Sequence, residues 1–324
     1  MPERAIDVSV VVPTRDRSRM LETALRSVLR QRDVHIEVIV VDDASSDDTP
    51  EVVAAFDEPR LRLLRNPVPT GPSGARNRGA SEARGEWLAF LDDDDMWAPT
   101  KLSRQIATAT DVGTRWVYAG AVNVDDRLRI IHGAPAPDPA AVVAALPRSN
   151  PIPAGASNVV IHRDAFEAVG GFNQDLRACE EWDLWLRLAR AESPGRVPSP
   201  LVAYRMHVGN AILDVAAIVE GARAFERLHG ATIDWGLFHR WLAQSSARGG
   251  DRRQALREFG RAALAGQARE VGWDLFDIAR AGARRRLGWS RKERGRGSDE
   301  AWEDEARGWL EDLWRSRIDA HDER

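Results

Sequence analysis

A single cysteine, Cys179, stands among the 324 residues. That excludes an intrachain disulfide framework and any metal site built from several thiolates, and it agrees with a reducing compartment. Long apolar runs are also missing: nowhere do about 18 consecutive apolar residues occur, the length a helix needs to cross a bilayer. Residues 1–7 carry Glu3, Arg4 and Asp7 ahead of a short apolar run, so no secretory leader is expected, and the cytoplasm is the expected compartment. Positive charge is not in excess, with 46 Lys plus Arg against 50 Asp plus Glu and a formal net charge of −4. No global field therefore points to nucleic acid, and any anionic ligand must be held locally.

What is present is an alternation of strand and helix signals. Val8 to Val12 is β-branched but for Ser9 and is closed by Pro13, the pattern of a central strand covered on both faces. Ser18 reads as the cap of a helix whose apolar positions Leu21, Leu25, Val28 and Leu29 recur at helical spacing. Ile36 to Val41, Leu61 to Leu64 and Trp87 to Leu91 read as further strands, with a helix over Val52 to Phe56 between the first two. Two of these strands run straight into aspartates, Asp42-Asp43 and Asp92-Asp93-Asp94-Asp95. Such alternation implies a mostly parallel sheet with right-handed crossovers. Beyond it the pattern predicts a helix over Pro99 to Ala109, a strand over Trp116 to Val124, a Pro/Ala-rich loop from Ala134 to Pro153, a strand over Ser157 to His162, a short helix over Arg163 to Val169, and an amphipathic helix over Glu181 to Arg190. From Ala211 onward only helical patterning remains, for instance Leu256, Phe259 and Ala263, and seven of the twelve tryptophans lie there. The expected organisation is a catalytic domain over 1–212 and an all-helical region over 213–324, the latter for packing, oligomerisation or acceptor binding. A basic run, Arg284 to Arg296, precedes an acidic one, Asp299 to Asp312; opposed blocks of this kind commonly pair or stay solvated. Without an apolar anchor, the basic run allows only weak peripheral membrane contact.

The run of four carboxylates after a buried strand carries the chemistry. Adjacent carboxylates raise one another's pKa, so a cation is their natural partner. Mg²⁺ and Mn²⁺ take oxygen ligands and accept phosphate oxygens to complete an octahedron. The plain alternative is a solvated acidic turn at the N-terminus of the following helix.

Four blocks decide between them. Val10-Val11-Val12-Pro13-Thr14-Arg15-Asp16, Val40-Val41-Asp42-Asp43-Ala44-Ser45-Ser46-Asp47-Asp48-Thr49, Gly74-Ala75-Arg76-Asn77-Arg78-Gly79 and Gly85-Glu86-Trp87-Leu88-Ala89-Phe90-Leu91-Asp92-Asp93-Asp94-Asp95 resemble the family 2 glycosyltransferases in order and spacing. Gly170-Gly171-Phe172, the segment Glu180 to Arg187 and Tyr204-Arg205-Met206-His207 continue the resemblance, which covers residues 8–210.

The resemblance implies a GT-A type α/β fold, a Rossmann-like, mostly parallel mixed sheet flanked by helices, here with the helical C-terminal extension. It also implies inverting, metal-dependent transfer from a nucleoside diphosphate sugar, with UDP the expected nucleotide. Carried over residue by residue, Pro13, Thr14 and Arg15 would line the nucleotide pocket and Asp43 would accept a hydrogen bond from the base. Asp92 and Asp94 match the family's Asp-x-Asp, with Asp94 contacting Mn²⁺ or Mg²⁺ and Asp93 near the ribose. Arg76, rather than Arg78, would reach the diphosphate, and His207 would approach the metal or diphosphate from above. The family usually has Glu-Asp where this chain has Glu180-Glu181, so Glu181 takes the place of the general base with one extra methylene. Trp97 and Trp182 flank these carboxylates and are candidate acceptor contacts. Acceptor, donor sugar and linkage stay open, as does homo-oligomerisation through the C-terminal helices. Two rivals remain: a nucleotidyltransferase, for which Pro13 to Asp16 offers no glycine-rich, lysine-bearing loop, and a non-catalytic sugar-nucleotide or protein-binding module in which Glu181 no longer acts as a base.

Overall fold

In the computed structural model, residues 5–207, 214–248, 250–286 and 298–322 are described. The first half runs β1 (Val8–Thr14), α1 (Ser18–Val28), β2 (Ile36–Asp42), α2 (Thr49–Ala54), β3 (Leu61–Arg65), α3 (Gly71–Ser81), β4 (Trp87–Phe90), β5 (Met96–Trp97) and α4 (Lys101–Val112). There follow β6 (Trp116–Val124), β7 (Ile130–Ala134), α5 (Pro139–Ala145), α6 (Gly155–Asn158), β8 (Val160–His162), α7 (Arg163–Ala168), α8 (Glu180–Ala191) and β9 (Gly195–Arg205). The remainder is helical: α9 (Val215–His229), α10 (Trp235–Arg248), α11 (Arg252–Ala262), a π-helical turn (Ala263–Gln267), α12 (Ala268–Arg286) and α13 (Ser298–Asp322).

One mixed sheet has the order β3-β2-β1-β4-β8-β6-β9-β5, with β7 beside the far half of β6. Strands β3, β2, β1 and β4 run parallel to one another, β8 turns the direction by pairing antiparallel to both β4 and β6, and β6 and β9 are again parallel. The β-branched run of β1 is buried on both faces because helices cover both. Leu21, Leu25 and Val28 of α1 and Leu102 of α4 pack on Val10, Val12 and Val40. On the other face Val11, Ile39 and Phe90 meet Ala75, Phe166, Phe172, Trp182 and Trp185. Helix α3 lies so close to β1 that a Cβ on Gly79 would fall 2.3 Å from Val11 Cγ1.

The helical region is tied to this body at two places. Phe225 of α9 stacks on Trp182 with centroids 4.3 Å apart, and His229 Nε2 bonds the buried Asp183 carboxylate at 2.7 Å. Helix α13 closes the far end of the sheet, where Ala306, Leu310 and Leu313 share a core with Met96, Val122, Val124 and Ala203. Trp302 and Trp309 donate their indole N–H groups to Pro198 O at 2.7 Å and Pro200 O at 3.1 Å.

Several expectations are corrected. Ser18 caps nothing; its own N–H donates to Asp47 Oδ2 at 3.1 Å, so a neighbouring loop caps α1. The stretch Ala134 to Pro153 contains α5, capped by Asp138, whose side chain accepts from Ala140 N. Ser157 and Asn158 close the single turn α6, and β8 begins only at Val160. Phe259 is buried as expected, but Leu256 of the same helix is 63% exposed. The expected boundary at 212/213 lies outside the described residues, as do Arg291, Lys292, Arg294 and Arg296 of the basic run.

Candidate active site

Strands β1, β2 and β4 are adjacent and parallel, so Thr14, Asp42-Asp43 and the loop Leu91–Asp95 emerge on one edge of the sheet. Open parallel sheets bind ligands beyond such strand ends. The four consecutive aspartates do not point together. Asp92 Oδ1 accepts from Arg76 Nη2 at 2.7 Å. Asp93 turns inward, accepting from Thr14 Oγ1 at 2.7 Å and Arg17 Nη1 at 3.2 Å. Asp94 Oδ2 meets Arg17 Nη1 and His207 Nε2, each at 2.9 Å. Asp95 is fully buried; its Oδ1 accepts from Arg205 N at 3.0 Å, while Oδ2 has no hydrogen-bond partner.

These environments split the carboxyl groups. Burial and the Asp94 charge push Asp93 up to about 7, against the pull of Arg17 and Thr14. Burial also acts on Asp94, but the His207 hydrogen bond and the Arg17 charge outweigh it and hold Asp94 below the usual carboxylate range. Asp94 is therefore the more readily ionised member of the pair.

A second carboxylate pair joins the first through one cation. Arg76 projects from α3 with 4% of its side chain exposed, and its Nη1 reaches Glu180 Oε1 at 3.0 Å while Nη2 binds Asp92. Glu181 Oε1 lies 3.8 Å from the same Nη2. Burial alone would lower the guanidinium, but Asp92, Glu181 and Glu180 hold it well above the usual arginine range. Burial and the Glu180 charge push Glu181 up to about 8, with Arg76 pulling the other way. Its side chain keeps 22% of its surface open, so it can face an incoming group. Glu180, Glu181 and Asp183 all sit in the first turn of α8, where negative charge is favoured by the helix dipole.

Asp43 is occupied within the chain. Its carboxylate accepts from Asn66 Nδ2 at 2.6 Å, Thr70 N at 2.8 Å, Thr70 Oγ1 at 2.9 Å and Gly71 N at 2.8 Å. It thereby fixes the start of α3, and so the place from which Arg76 projects. Beside it, a cleft of about 490 Å³ opens between Ala44, Arg65, Asn66 and Pro67. A larger cleft of about 870 Å³ in the helical region, lined in part by Trp235 and Glu226, shares no lining residue with the carboxylates.

Of the sequence candidates, Thr14, Asp92, Asp93, Asp94, Arg76, Glu181 and His207 converge, with the half-buried Pro13 at the rim. Arg15 does not join them; its side chain is 53% exposed and its nearest carboxylate is Asp16 at 3.7 Å. Arg17, two residues on, makes the contact that sequence reasoning missed, and nothing local marks it out. Arg78 donates to Arg65 O at 2.8 Å and to Asn66, so it braces the chain leaving β3. Asn77 exchanges two hydrogen bonds with the Phe172 backbone and serves no turn of its own. Trp97 and Trp182 are core residues, which corrects their reading as acceptor contacts. Trp97 is 1% and Trp182 3% exposed, with their indole N–H groups held by Ser157 O and Leu146 O at 2.7 Å. Neither ring leaves a face for a sugar.

Among the described residues no three His, Cys, Asp or Glu side chains enclose a cation unaided. Asp94 and His207 supply an adjoining oxygen and nitrogen, and Asp92 stands on the same loop. That donor set suits a hard divalent ion whose shell is completed by diphosphate and water oxygens.

A doubly covered parallel half-sheet carrying its ligand groups at the strand ends, continued by a mixed half against which α8 sets a second carboxylate pair, defines a GT-A-like α/β fold. Solved structures agree: S. aureus TarS 1–349 in complex with UDP-GlcNAc superimposes with a TM-score of 0.58 at 17% identity, over 80% of this chain and 81% of that one. The family description Glycosyl transferase family 2 matches residues 9–170, and Glycosyltransferase like family 2 matches 141–246. The chain belongs to glycosyl transferase family 2. Among curated relatives, the succinoglycan biosynthesis protein ExoO of Rhizobium meliloti is 42% identical over 113 residues, 35% of this chain and 32% of ExoO. The Escherichia coli UDP-Glc:alpha-D-GlcNAc-diphosphoundecaprenol beta-1,3-glucosyltransferase WfgD is 39% identical over 111 residues, 34% of this chain and 44% of WfgD. The match thus spans about a third to under a half of these relatives' length. No helix among the described residues is long and apolar enough to cross a membrane.

Proposed function

We propose that the chain transfers a sugar from a nucleoside diphosphate sugar, UDP-linked, to an acceptor hydroxyl with inversion at the anomeric carbon. The observation that carries this reading is Arg76, one buried cation bridging the donor-side Asp92 and the pair Glu180-Glu181. It brings a diphosphate-binding edge and a candidate base within a few ångströms of each other, the arrangement direct displacement requires.

In this reading the base and ribose of the donor lie along Pro13, Thr14, Asp43 and the cleft at Ala44, Arg65, Asn66 and Pro67, with Asp93 bordering the nucleotide. Asp94 and His207, with Asp92, would hold Mn²⁺ or Mg²⁺, and such an ion would offset the negative charge that builds on the departing nucleoside diphosphate. Arg76 adds a second positive charge on that side. Glu181 accepts the acceptor hydroxyl proton as that oxygen forms its bond to the anomeric carbon, while the bond to the diphosphate oxygen breaks. Residues 1–212 carry this chemistry, and the helices after them support it. The names of WfgD and of the TarS complex support UDP as the nucleotide, and the acceptor of WfgD, a diphosphoundecaprenol-linked sugar, indicates the acceptor class to try first.

The test is thermal stabilisation by a panel of nucleoside diphosphates and their sugars, with Mn²⁺ or Mg²⁺ and with chelator, in the native chain and in Asp94→Ala. A metal-dependent shift for the UDP series, lost in Asp94→Ala, is the expected result. Absence of a shift with every nucleotide in both metals overturns the reading.

A further inference from the structure

The single turn α6 is fastened on three sides. Asn158, fully buried, pairs with β6, its Oδ1 accepting from Ala119 N at 2.6 Å and its Nδ2 donating to Ala119 O at 2.8 Å. Gln105 Nε2 of α4 reaches Asn158 O at 2.9 Å, and Trp97 Nε1 reaches Ser157 O at 2.7 Å. Ser157 Oγ accepts from Asp92 N at 3.1 Å, so the turn also holds the acidic loop. This platform cannot yield without disturbing β5, β6 and the donor-side carboxylates together.

Gly155, the first residue of that platform, faces Glu181. A Cβ added there would lie 3.2 Å from Glu181 Oε1 and 3.8 Å from its Cδ, closer than side-chain carbons ordinarily approach. The backbone is bent to present this bare Cα: Ala154 and Gly155 are both left-handed, with φ of 56° and 48°. For Ala154 that conformation is strained, as backbone at functional positions often is. The same Glu181 Oε1 has Arg76 Nη2 at 3.8 Å. Its position is therefore set jointly by a guanidinium that can shift only with Asp92 and Glu180, and by an α-carbon without a side chain.

We propose that Gly155 is a positioning residue for the base, and that its missing side chain is the seat that lets a glutamate, with its extra methylene, aim its carboxylate at the acceptor. The inference rests on Glu181 being the base. It explains why a glutamate serves here: the room an aspartate would leave empty is filled by the longer side chain resting on the α6 platform. A methyl group at residue 155 displaces the carboxylate by a few tenths of an ångström, and proton transfer is steeply sensitive to such misplacement.

The experiment is a double-mutant cycle of Gly155→Ala and Glu181→Asp. It is read by UDP release from whichever UDP-sugar stabilises the chain most in the panel above, with melting temperatures and a crystal structure of the Gly155→Ala protein. Gly155→Ala should lower kcat roughly fivefold with donor KM nearly unchanged, whereas in the Glu181→Asp background the same change should alter kcat by less than about twofold. The crystal structure should show the Glu181 carboxylate moved off residue 155 with α6 and the Arg76–Asp92 pair in place. Backbone strain from alanine lowers the melting temperature equally in both backgrounds, so a purely structural role gives equal losses of kcat and overturns the proposal. An unmoved carboxylate overturns it as well. Full activity of Glu181→Gln would instead refute the base assignment itself.

Discussion

Asp94 Oδ2 is shared between His207 Nε2 and Arg17 Nη1, both at 2.9 Å. One carboxylate oxygen thus ties the loop after β4 to the end of β9 and to the residue leading into α1. With His207 and Arg17 outweighing burial, Asp94 is held below the usual carboxylate range, whereas burial and the Asp94 charge raise Asp93.

His207→Ala should therefore weaken metal binding without abolishing folding. With Asp94 and His207 as the proposed ligands, loss of one should raise the Mn²⁺ concentration for half-maximal nucleotide stabilisation by about tenfold or more. A titration of the UDP-dependent melting shift against Mn²⁺ measures it, and an unchanged midpoint would remove His207 from the ion's shell.

Glu181 sets a pH dependence. A base must be deprotonated to act, and its carboxyl is raised to about 8 by burial and by Glu180, with Arg76 opposing. In the free protein kcat/KM should fall about tenfold per pH unit below that value and level off above it. The stability sign is opposite. A carboxyl raised in the folded state contributes stability below its unfolded pKa, and that contribution is lost as pH rises through about 8. Glu181→Gln should abolish transfer, retain donor binding, and gain melting temperature over the native chain at pH 9 relative to pH 6.

Asp43→Ala tests whether the loop before α3 depends on that carboxylate. Four donor groups, from Asn66, Thr70 and Gly71, converge on it. Leaving buried donors unsatisfied costs about 1–3 kcal/mol each, so a loss of roughly 3 kcal/mol is expected by urea unfolding. Donor affinity should fall as well, since Arg76 projects from the helix this loop starts. Asp43→Asn, which keeps one acceptor, should lose less.

Trp302→Ala should destabilise the sheet rather than α13 alone. The indole fills the notch over Gly120 and Gly133, where an added Cβ would fall 2.7 Å and 2.6 Å from it. Removing a large aromatic from a partly buried site of this kind costs about 2–3 kcal/mol. Hydrogen exchange should report the loss at β6 and β9, far away in sequence.

Much of the first half of the fold was legible because buried parallel strands announce themselves. Val8 to Val12, Ile36 to Val41 and Trp116 to Val124 are largely apolar runs, interrupted only by Ser9, Glu37 and Asn123 among polar side chains, and each lies where the structure has a covered strand. Helix α3 was silent: Gly71, Gly74 and Gly79 lower its propensity, and only Gly79 offsets that by close packing on Val11 of β1. Strand β9 was hidden by Pro198 and Pro200, which coincide with the register shift against β6. The carboxylates and Arg76 could be named from their motifs. Arg17 could not, since a single arginine in a loop becomes a site residue only when the β4 loop folds beside it. The tryptophans misled for a related reason: adjacency in sequence to Asp95 or Glu181 says nothing about which face of the element turns inward.

Helix α13 has a consequence for the order in which the protein can be made. Its Ala306, Leu310 and Leu313 complete a core with Met96, Val122, Val124 and Ala203, and Arg30 reaches back to Asp312 O at 3.1 Å. While the chain is still on the ribosome, the strands beside Asp95 and His207 present that apolar patch uncovered until the last of these residues has emerged. The far end of the sheet is thus covered only once α13 has been made, and chaperone capture before that point should concentrate on β6 and β9.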